Sequence, residues 1–396
     1  MVDLFEKCMA KSKADEAREM NIYPYFHSLS SMQNTVVEME GKRRIMLGSN
    51  NYLGLTANEE VIEAGIEAER KLGSGCSGSR FLNGTLDIHL ELEAEIGKFL
   101  GVESVVTFPT GFQTNIGIVS ALVGKNDYII MDRENHASIY DGCKLSYGTM
   151  LRYKHGDMES LEKCLQQVPE SAGCLVVTDG VFSMAGDIAK LPEICALAEK
   201  YGARVMVDDA HGIGVIGEGG RGTASYYGLE DKVDIYMGSL SKALASQGGY
   251  LAASERICDY VRHNSRPFIF STSMPPASAA VALKALRILE AHPEMVTTLQ
   301  GLSKYMRNRL NERNVKMKPS NGDIIPIVPI YTYELIPTLT ITKELYEAGV
   351  YVNAALPPAT PPHEALLRNS LMATHTTDLI DEAVDIIAAT LKKHNI

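Results

Sequence analysis

From about Asn51 onward the apolar positions of the chain alternate between two patterns. Stretches such as "NEEVIEAGIEAERKLG" and "PEICALAEKYG" carry apolar residues at helical spacing, with acids near their starts and basic residues near their ends. Between such stretches stand short β-branched runs: "SVVTF", "DYIIMD", "MLRYKH", "CLVVTDG" and "ARVMVDDA". Short β-branched runs of this kind predict strands. Their alternation with helices predicts an α/β fold built on a large, mainly parallel sheet. Ligands of such sheets gather at the carboxyl ends of the strands.

The flanks read differently. The N-terminal "MVDLFEKCMAKSKADEAREM" predicts a polar, amphipathic helix, followed by strand-like "TVVEME" and "RRIMLGS". A long helical segment starts at Pro275. Beyond it, "IIPIVPIYT", "LTITKELYEAGVYVNAAL" and "TDLIDEAVDIIAATLKKH" predict a smaller α+β C-terminal domain. The expected organisation is an N-terminal segment (1–50), a large domain (51–280) and a small C-terminal domain (281–396), in line with a 396-residue chain being too long for one simple core.

Charge and cysteine content narrow the function classes. A formal net charge of −11 argues against a nucleic-acid or anionic-membrane surface. The seven cysteines form no CxxC pair and no metal-ligand spacing, which fits reduced thiols in a cytoplasmic protein. No run is apolar and long enough to suggest a transmembrane segment.

One motif misleads. "GIGVIG" at 212–217 matches GxGxxG after the strand "ARVMVDDAH", yet the residues that follow, "EGGRGTASYYG", do not open a helix. A dinucleotide fingerprint needs that helix, and its ribose-binding acid lies ~20 residues beyond the glycines rather than before them.

The chemistry collects elsewhere. In "GSLSKALAS", Lys242 sits among small residues just after the apolar "VDIYM". Other predicted strand ends supply Thr110, Gly111 and Phe112 in "PTGFQTN", His136 in "NHAS", Asp179 and Ser183 in "TDGVFSMAGD", and Asp208 and His211 in "VDDAHG". Singly, each is an ordinary loop or capping residue. Together they offer a lysine for a Schiff base, an acid for a pyridinium nitrogen and free amides for a phosphate, the set that pyridoxal 5'-phosphate (PLP) needs.

Nearly the whole chain resembles the α-oxoamine synthases, fold-type I PLP-dependent transferases of the aspartate aminotransferase superfamily. The resemblance is carried, in order, by "SNNYLGL", "GSGCSGSRFLNGT", "TGFQTN", "NHASIYDG", "DGVFSMAGD", "VDDAHGIGVIGEGGRG", "GSLSKALAS", "FSTSMPP" and "LLRNSLMATHT". It implies that Lys242 holds PLP, that Asp208 pairs with the ring nitrogen, that His211, with Ser183 nearby, bonds the ring oxygen and that His136 stacks on the ring. It places the phosphate on Gly111, Phe112, Ser239 and Ser241. Ser271 and Thr272 would come from the second subunit of a homodimer. Family members commonly read "GTFSK", and Ser239 here keeps the hydroxyl of that threonine.

The implied reaction joins an amino acid to an acyl-CoA with loss of carbon dioxide. Arg368, assisted by Asn50, would bind the amino acid's carboxylate, and Lys242 would take its α-proton. "LPPATPP", "YPYFHSLSS" and "GSGCSGSRFLNGTLDIHLELE" resemble the soluble bacterial serine palmitoyltransferase branch, which implies L-serine and palmitoyl-CoA as substrates. The glycine C-acetyltransferase (2-amino-3-oxobutyrate CoA ligase) and 8-amino-7-oxononanoate synthase branches are the alternatives. A non-catalytic partner subunit would be expected to lack the Schiff-base lysine, and an aminotransferase would release no CoA.

Overall fold

The computed structural model describes residues 1–396. Its strands are β1 (Val36–Met39), β2 (Lys42–Met46), β3 (Ser104–Phe108), β4 (Tyr128–Asp132), β5 (Thr149–Tyr153), β6 (Cys174–Asp179), β7 (Arg204–Asp208), β8 (Ile235–Ser239), β9 (Gly249–Ala253), β10 (Ile327–Tyr333), β11 (Val350–Tyr351), β12 (Asn353–Ala355) and β13 (Ala365–Ser370). Seven of them form one sheet in the order β3-β9-β8-β7-β6-β4-β5. Its pairings from β8 through to β5 are parallel, and β9 alone runs antiparallel to its neighbours β3 and β8. A mainly parallel sheet is what the β-branched runs predict.

The inner runs are largely apolar because the sheet is covered on both sides; β5, at the sheet edge, differs and exposes Thr149 and Arg152. Val205 and Val207 of β7 pack into the larger core cluster, while Met206 between them packs into a second cluster. In β6, Val176 joins the first cluster, and Leu175 and Val177 join the second. Successive strand residues point to opposite faces, so both must be apolar.

Two three-stranded sheets complete the fold, β1-β2-β11 and β10-β13-β12. The second sets Arg368, on β13, opposite Pro329 of β10 and Asn353 of β12.

Two predicted helices are broken. The segment from Pro275 divides into helices Pro276–Ala291 and Glu294–Glu312, with His292 outside helical conformation. Pro293 lacks a backbone N–H and disfavours helical geometry in the residue before it. The N-terminal stretch divides into Glu6–Met9 and Lys13–Glu19, because Ser12 and Asp15 close a capping box that starts a new helix. No helix is long and apolar enough to cross a membrane.

Candidate active site

Two adjoining cavities open at the carboxyl ends of the parallel strands. The first, about 380 Å³, is lined by Gly111, Phe112, His136, Asp208, His211, Ser239, Ser241 and Lys242, with Asn115, Ser138 and Asp179 beside them. The second, about 610 Å³, shares His136, His211 and Lys242 and adds Asn50, Ser183 and Arg368. All the predicted site residues but two therefore converge on one region. The exceptions are Ser271 and Thr272, which line neither cavity. Ser271 Oγ accepts from Gln113 Nε2 at 3.1 Å, and Thr272 is exposed.

Each strand end delivers its residue for a local reason. After β3, Thr110 caps the helix Gly111–Leu122 by accepting from Gln113 N, which leaves the first-turn amides of Gly111 and Phe112 without intrahelical partners. A side chain at Gly111 would begin 3.3 Å from Ser239 Oγ, so glycine keeps this helix end close to the serine. Ser239 Oγ and Ser241 Oγ lie 2.8 Å apart on the same wall. This junction of amides and hydroxyls is an anion cradle.

Asp208 and Asp209 end β7 and diverge. Asp208 faces the cavity, with Oδ2 accepting from Asn115 Nδ2 at 2.7 Å and Oδ1 from Ala210 N at 3.0 Å. Asp209 turns away and ties down Thr223, accepting its backbone N–H at 2.7 Å and its hydroxyl at 2.5 Å. Thereby "GIGVIG" is held as loop and is followed by a 3-10 turn at Glu218–Gly220. Contrary to the sequence expectation, "EGGRGTASYYG" is not loop throughout, since Thr223–Tyr227 forms a short helix, but it starts six residues after the last glycine and so is not opened by the motif.

Burial pulls the Lys242 ammonium down to about 8, opposed by Asp208 and aided by the charge of Arg368. Burial likewise holds His211 well below its ordinary value, with Lys242 and Arg368 contributing, so its ring is neutral. Asp179, buried beside Asp208, is pushed well above the carboxylate range. Lowered lysine and raised acid in one cleft are typical of catalytic centres.

Three side chains that sequence reasoning left without a role complete the site. Tyr52 OH lies 2.6 Å from His211 Nδ1, and Arg368 Nη2 donates to it at 3.4 Å. Asn115 joins Asp208 to Ser138, whose Oγ accepts from Asn115 Nδ2 at 2.9 Å. All three stand inside the motifs "SNNYLGL", "TGFQTN" and "NHAS", so their positions were visible although their contacts were not.

Residues 42–387 match the profile of the aminotransferase class I and II family. The chain belongs to that family. Within it, this aminotransferase-family chain is 47% identical over 382 residues to a serine palmitoyltransferase of Sphingobacterium spiritivorum, covering 96% of this chain and 95% of the relative. It is 40% identical over 387 residues to an 8-amino-7-oxononanoate synthase of Thermoanaerobacter pseudethanolicus, covering 98% and 97%. A solved serine palmitoyltransferase with PLP superimposes with a TM-score of 0.95 at 35% identity over the full length of both chains.

The first cavity fits PLP on its own chemistry. An anion cradle stands at the helix end, an acid held by two donors stands on β7, and a buried lysine of lowered pKa lines the same cavity. Its volume lies in the small-molecule range.

Proposed function

We propose that this protein is a PLP-dependent acyltransferase that condenses L-serine with palmitoyl-CoA, giving 3-oxosphinganine, CoA and carbon dioxide. The observation that carries the reading is 47% identity to a serine palmitoyltransferase along almost the whole of both chains. That exceeds the 40% shared with an 8-amino-7-oxononanoate synthase over a similar length.

In this reading Lys242 holds PLP, the amides of Gly111 and Phe112 with Ser239 and Ser241 take its phosphate, Asp208 faces its ring nitrogen, and His211 faces its ring oxygen. When bound, PLP supplies a sink for the electrons released at the amino acid's α-carbon. The protein's part is to position groups and to hold protons. Asp208, fixed by Asn115 and Ala210 N, keeps a proton on the group it faces. Lys242 Nζ, neutral above about pH 8, accepts the proton from the substrate's α-carbon.

The amino acid's carboxylate sits on Arg368, with Asn50 alongside in the same cavity. The Arg368 guanidinium is already oriented: Nε donates to Ser183 O and Nη1 to Ser370 Oγ at 2.7 Å. A planar fork held in this way grips a carboxylate in one orientation. His136, shared by both cavities, would stack on the ring and steady the amino acid. The acyl thioester approaches through the second cavity, along Pro24, Tyr25, Met184, Leu356 and Pro357.

The protein acts as a homodimer in the cytoplasm, with Ser271 and Thr272 of one copy completing the phosphate cradle of the other. Supporting this, neither residue lines either of the two site cavities, and the adjacent Phe270 is 78% exposed. Sedimentation of the holoenzyme at twice the mass of one chain is the expected result. The division at residues 50 and 280 belongs to the same proposal; because 280 lies within the helix Pro276–Ala291, limited proteolysis tests it by cleavage in the segments flanking that helix.

The activity is tested by CoA release, crossing L-serine, glycine and L-alanine with acetyl-, pimeloyl- and palmitoyl-CoA. L-Serine with palmitoyl-CoA is expected to be the best pair. Glycine with acetyl-CoA, or L-alanine with pimeloyl-CoA, as the best pair would overturn the substrate reading.

A further inference from the structure

Behind the second cavity lies a group of charged residues with no direct contact to substrate or cofactor in the proposed reaction. His155, two residues beyond β5, is held between two carboxylates. Nδ1 is 3.0 Å from Asp132 Oδ1 and Nε2 is 2.9 Å from Asp187 Oδ2, with Glu134 Oε2 further off at 4.0 Å. With a carboxylate on each ring nitrogen, both nitrogens donate and the ring is an imidazolium. Burial opposes that charge, but the bonds to Asp132 and Asp187 outweigh it and push His155 up to about 11.

The two carboxylates belong to different parts of the fold. Asp132 ends β4, is 1% exposed, and is fixed by accepting from Glu134 N and Gly156 N. Asp187 closes the loop Val181–Asp187 after β6, and His155 is its side chain's single hydrogen-bond partner, its other oxygen being buried and unpaired. The loop is compact: Phe182 N donates to Asp187 O at 3.0 Å, and Gly186 N to Phe182 O at 2.9 Å. The His155 ring packs edge-on against Phe182, with centroids 4.5 Å apart. The next residue is Ser183, whose carbonyl accepts from Arg368 Nε.

We propose that His155 is a positioning residue for amino-acid recognition, clamping the Val181–Asp187 loop to the sheet so that the Ser183 carbonyl holds the Arg368 guanidinium in its carboxylate-binding orientation. This rests on the role of Arg368 proposed above. The nearby Lys318 pairs with Glu364 at 2.9 Å, and Lys190 Nζ donates to Gly156 O at 2.9 Å, so each already has its own partner. Removing the imidazole leaves the half-buried Asp187 carboxylate without its hydrogen-bond partner, and the loop loses its tie to β4 and β5.

The test is a double-mutant cycle on the holoenzyme, read as ligand dissociation constants from the change in PLP absorbance rather than from turnover. His155→Gln is expected to weaken L-serine about tenfold, as coupled contacts do, and to leave ethanolamine, which has no carboxylate, unchanged. In an Arg368→Ala background the same substitution should have no further effect on L-serine. Asp187→Asn, which keeps the ring, should weaken L-serine in the same direction and provides the cycle if His155→Gln folds poorly. Additive effects, equal weakening of ethanolamine, or unchanged L-serine affinity in both single variants would each overturn the proposal. If Arg368→Ala alone left L-serine affinity intact, the carboxylate assignment would fail and this inference with it. Additivity alongside a damaging Arg368→Ala would sink the inference alone.

Discussion

Replacing Asp208 by asparagine keeps the shape of the side chain and removes its charge. Asp208 is 5% exposed and spends one bond from each oxygen on Asn115 Nδ2 and Ala210 N, leaving the carboxylate's remaining capacity for the cavity. Asparagine can serve one of those donors with its carbonyl, but its amide then meets another donor or faces the ring nitrogen as a donor itself. Losing one member of a buried charged pair costs ~3–5 kcal/mol, which at 1.36 kcal/mol per decade slows the chemical step on the order of 10²- to 10⁴-fold. Asp209→Asn is the matched control. That residue, raised to about 6 by burial against its bonds to Thr223, serves the loop and not the cavity. Its substitution should cost about 1–3 kcal/mol of stability through a weakened hydrogen bond and leave turnover of the folded enzyme near wild type. The assay is CoA release from L-serine and palmitoyl-CoA, with PLP content measured by absorbance and stability by thermal melting. An Asp208→Asn enzyme that turns over within threefold of wild type while Asp209→Asn is crippled would refute the reasoning.

Other outcomes can be checked on the same material. Because only the neutral amine of Lys242 attacks PLP, and burial lowers its pKa to about 8, the capture rate of PLP by apo-enzyme should rise with pH around 8 and level off above it; a midpoint near 10.5, where an exposed lysine titrates, would contradict the burial. Lys242→Ala should still take up PLP but give no borohydride-fixed adduct, as shown by mass spectrometry of the peptide. Arg368→Lys keeps the charge and loses the fork, so KM for L-serine should rise about tenfold with KM for palmitoyl-CoA unchanged. Arg80 meets Glu93 through two bonds of 2.8 and 3.1 Å at 8% side-chain exposure, so Arg80→Ala should cost ~3–5 kcal/mol by leaving the buried Glu93 charge without its cation and with only Thr107 as donor, seen as a marked fall in Tm.

Much of this was legible before any coordinates. Strands β3, β4, β6 and β7 announce themselves as largely apolar runs, and the polar residues that end them had to lie near one edge of the sheet. The proline inside "AHPEM" was also a usable signal, since Pro293 ends one helix and allows the next to begin. What stayed hidden were contacts fixed only by packing. Asn115 and Asp208 are 93 residues apart, and nothing local tells that asparagine from a solvated one. The same holds for Tyr52 and His211, 159 residues apart, and for the antiparallel insertion of β9 between β3 and β8. Composition describes what each segment can do; only the assembled sheet decides which segments meet.

The helix Gly111–Leu122 works as a gauge. Its first residues offer the amides of the anion cradle, and Asn115, four residues on, grips the acid that faces the far end of the same cavity. Four residues advance ~6 Å along a helix, so one helical turn sets the spacing between the two ends of whatever the cavity holds. A single residue inserted after Phe112 would leave the amides in place, yet swing Asn115 about 100° around the axis and away from Asp208. Length tolerance at this turn should therefore be nil, in a protein whose surface loops can absorb insertions.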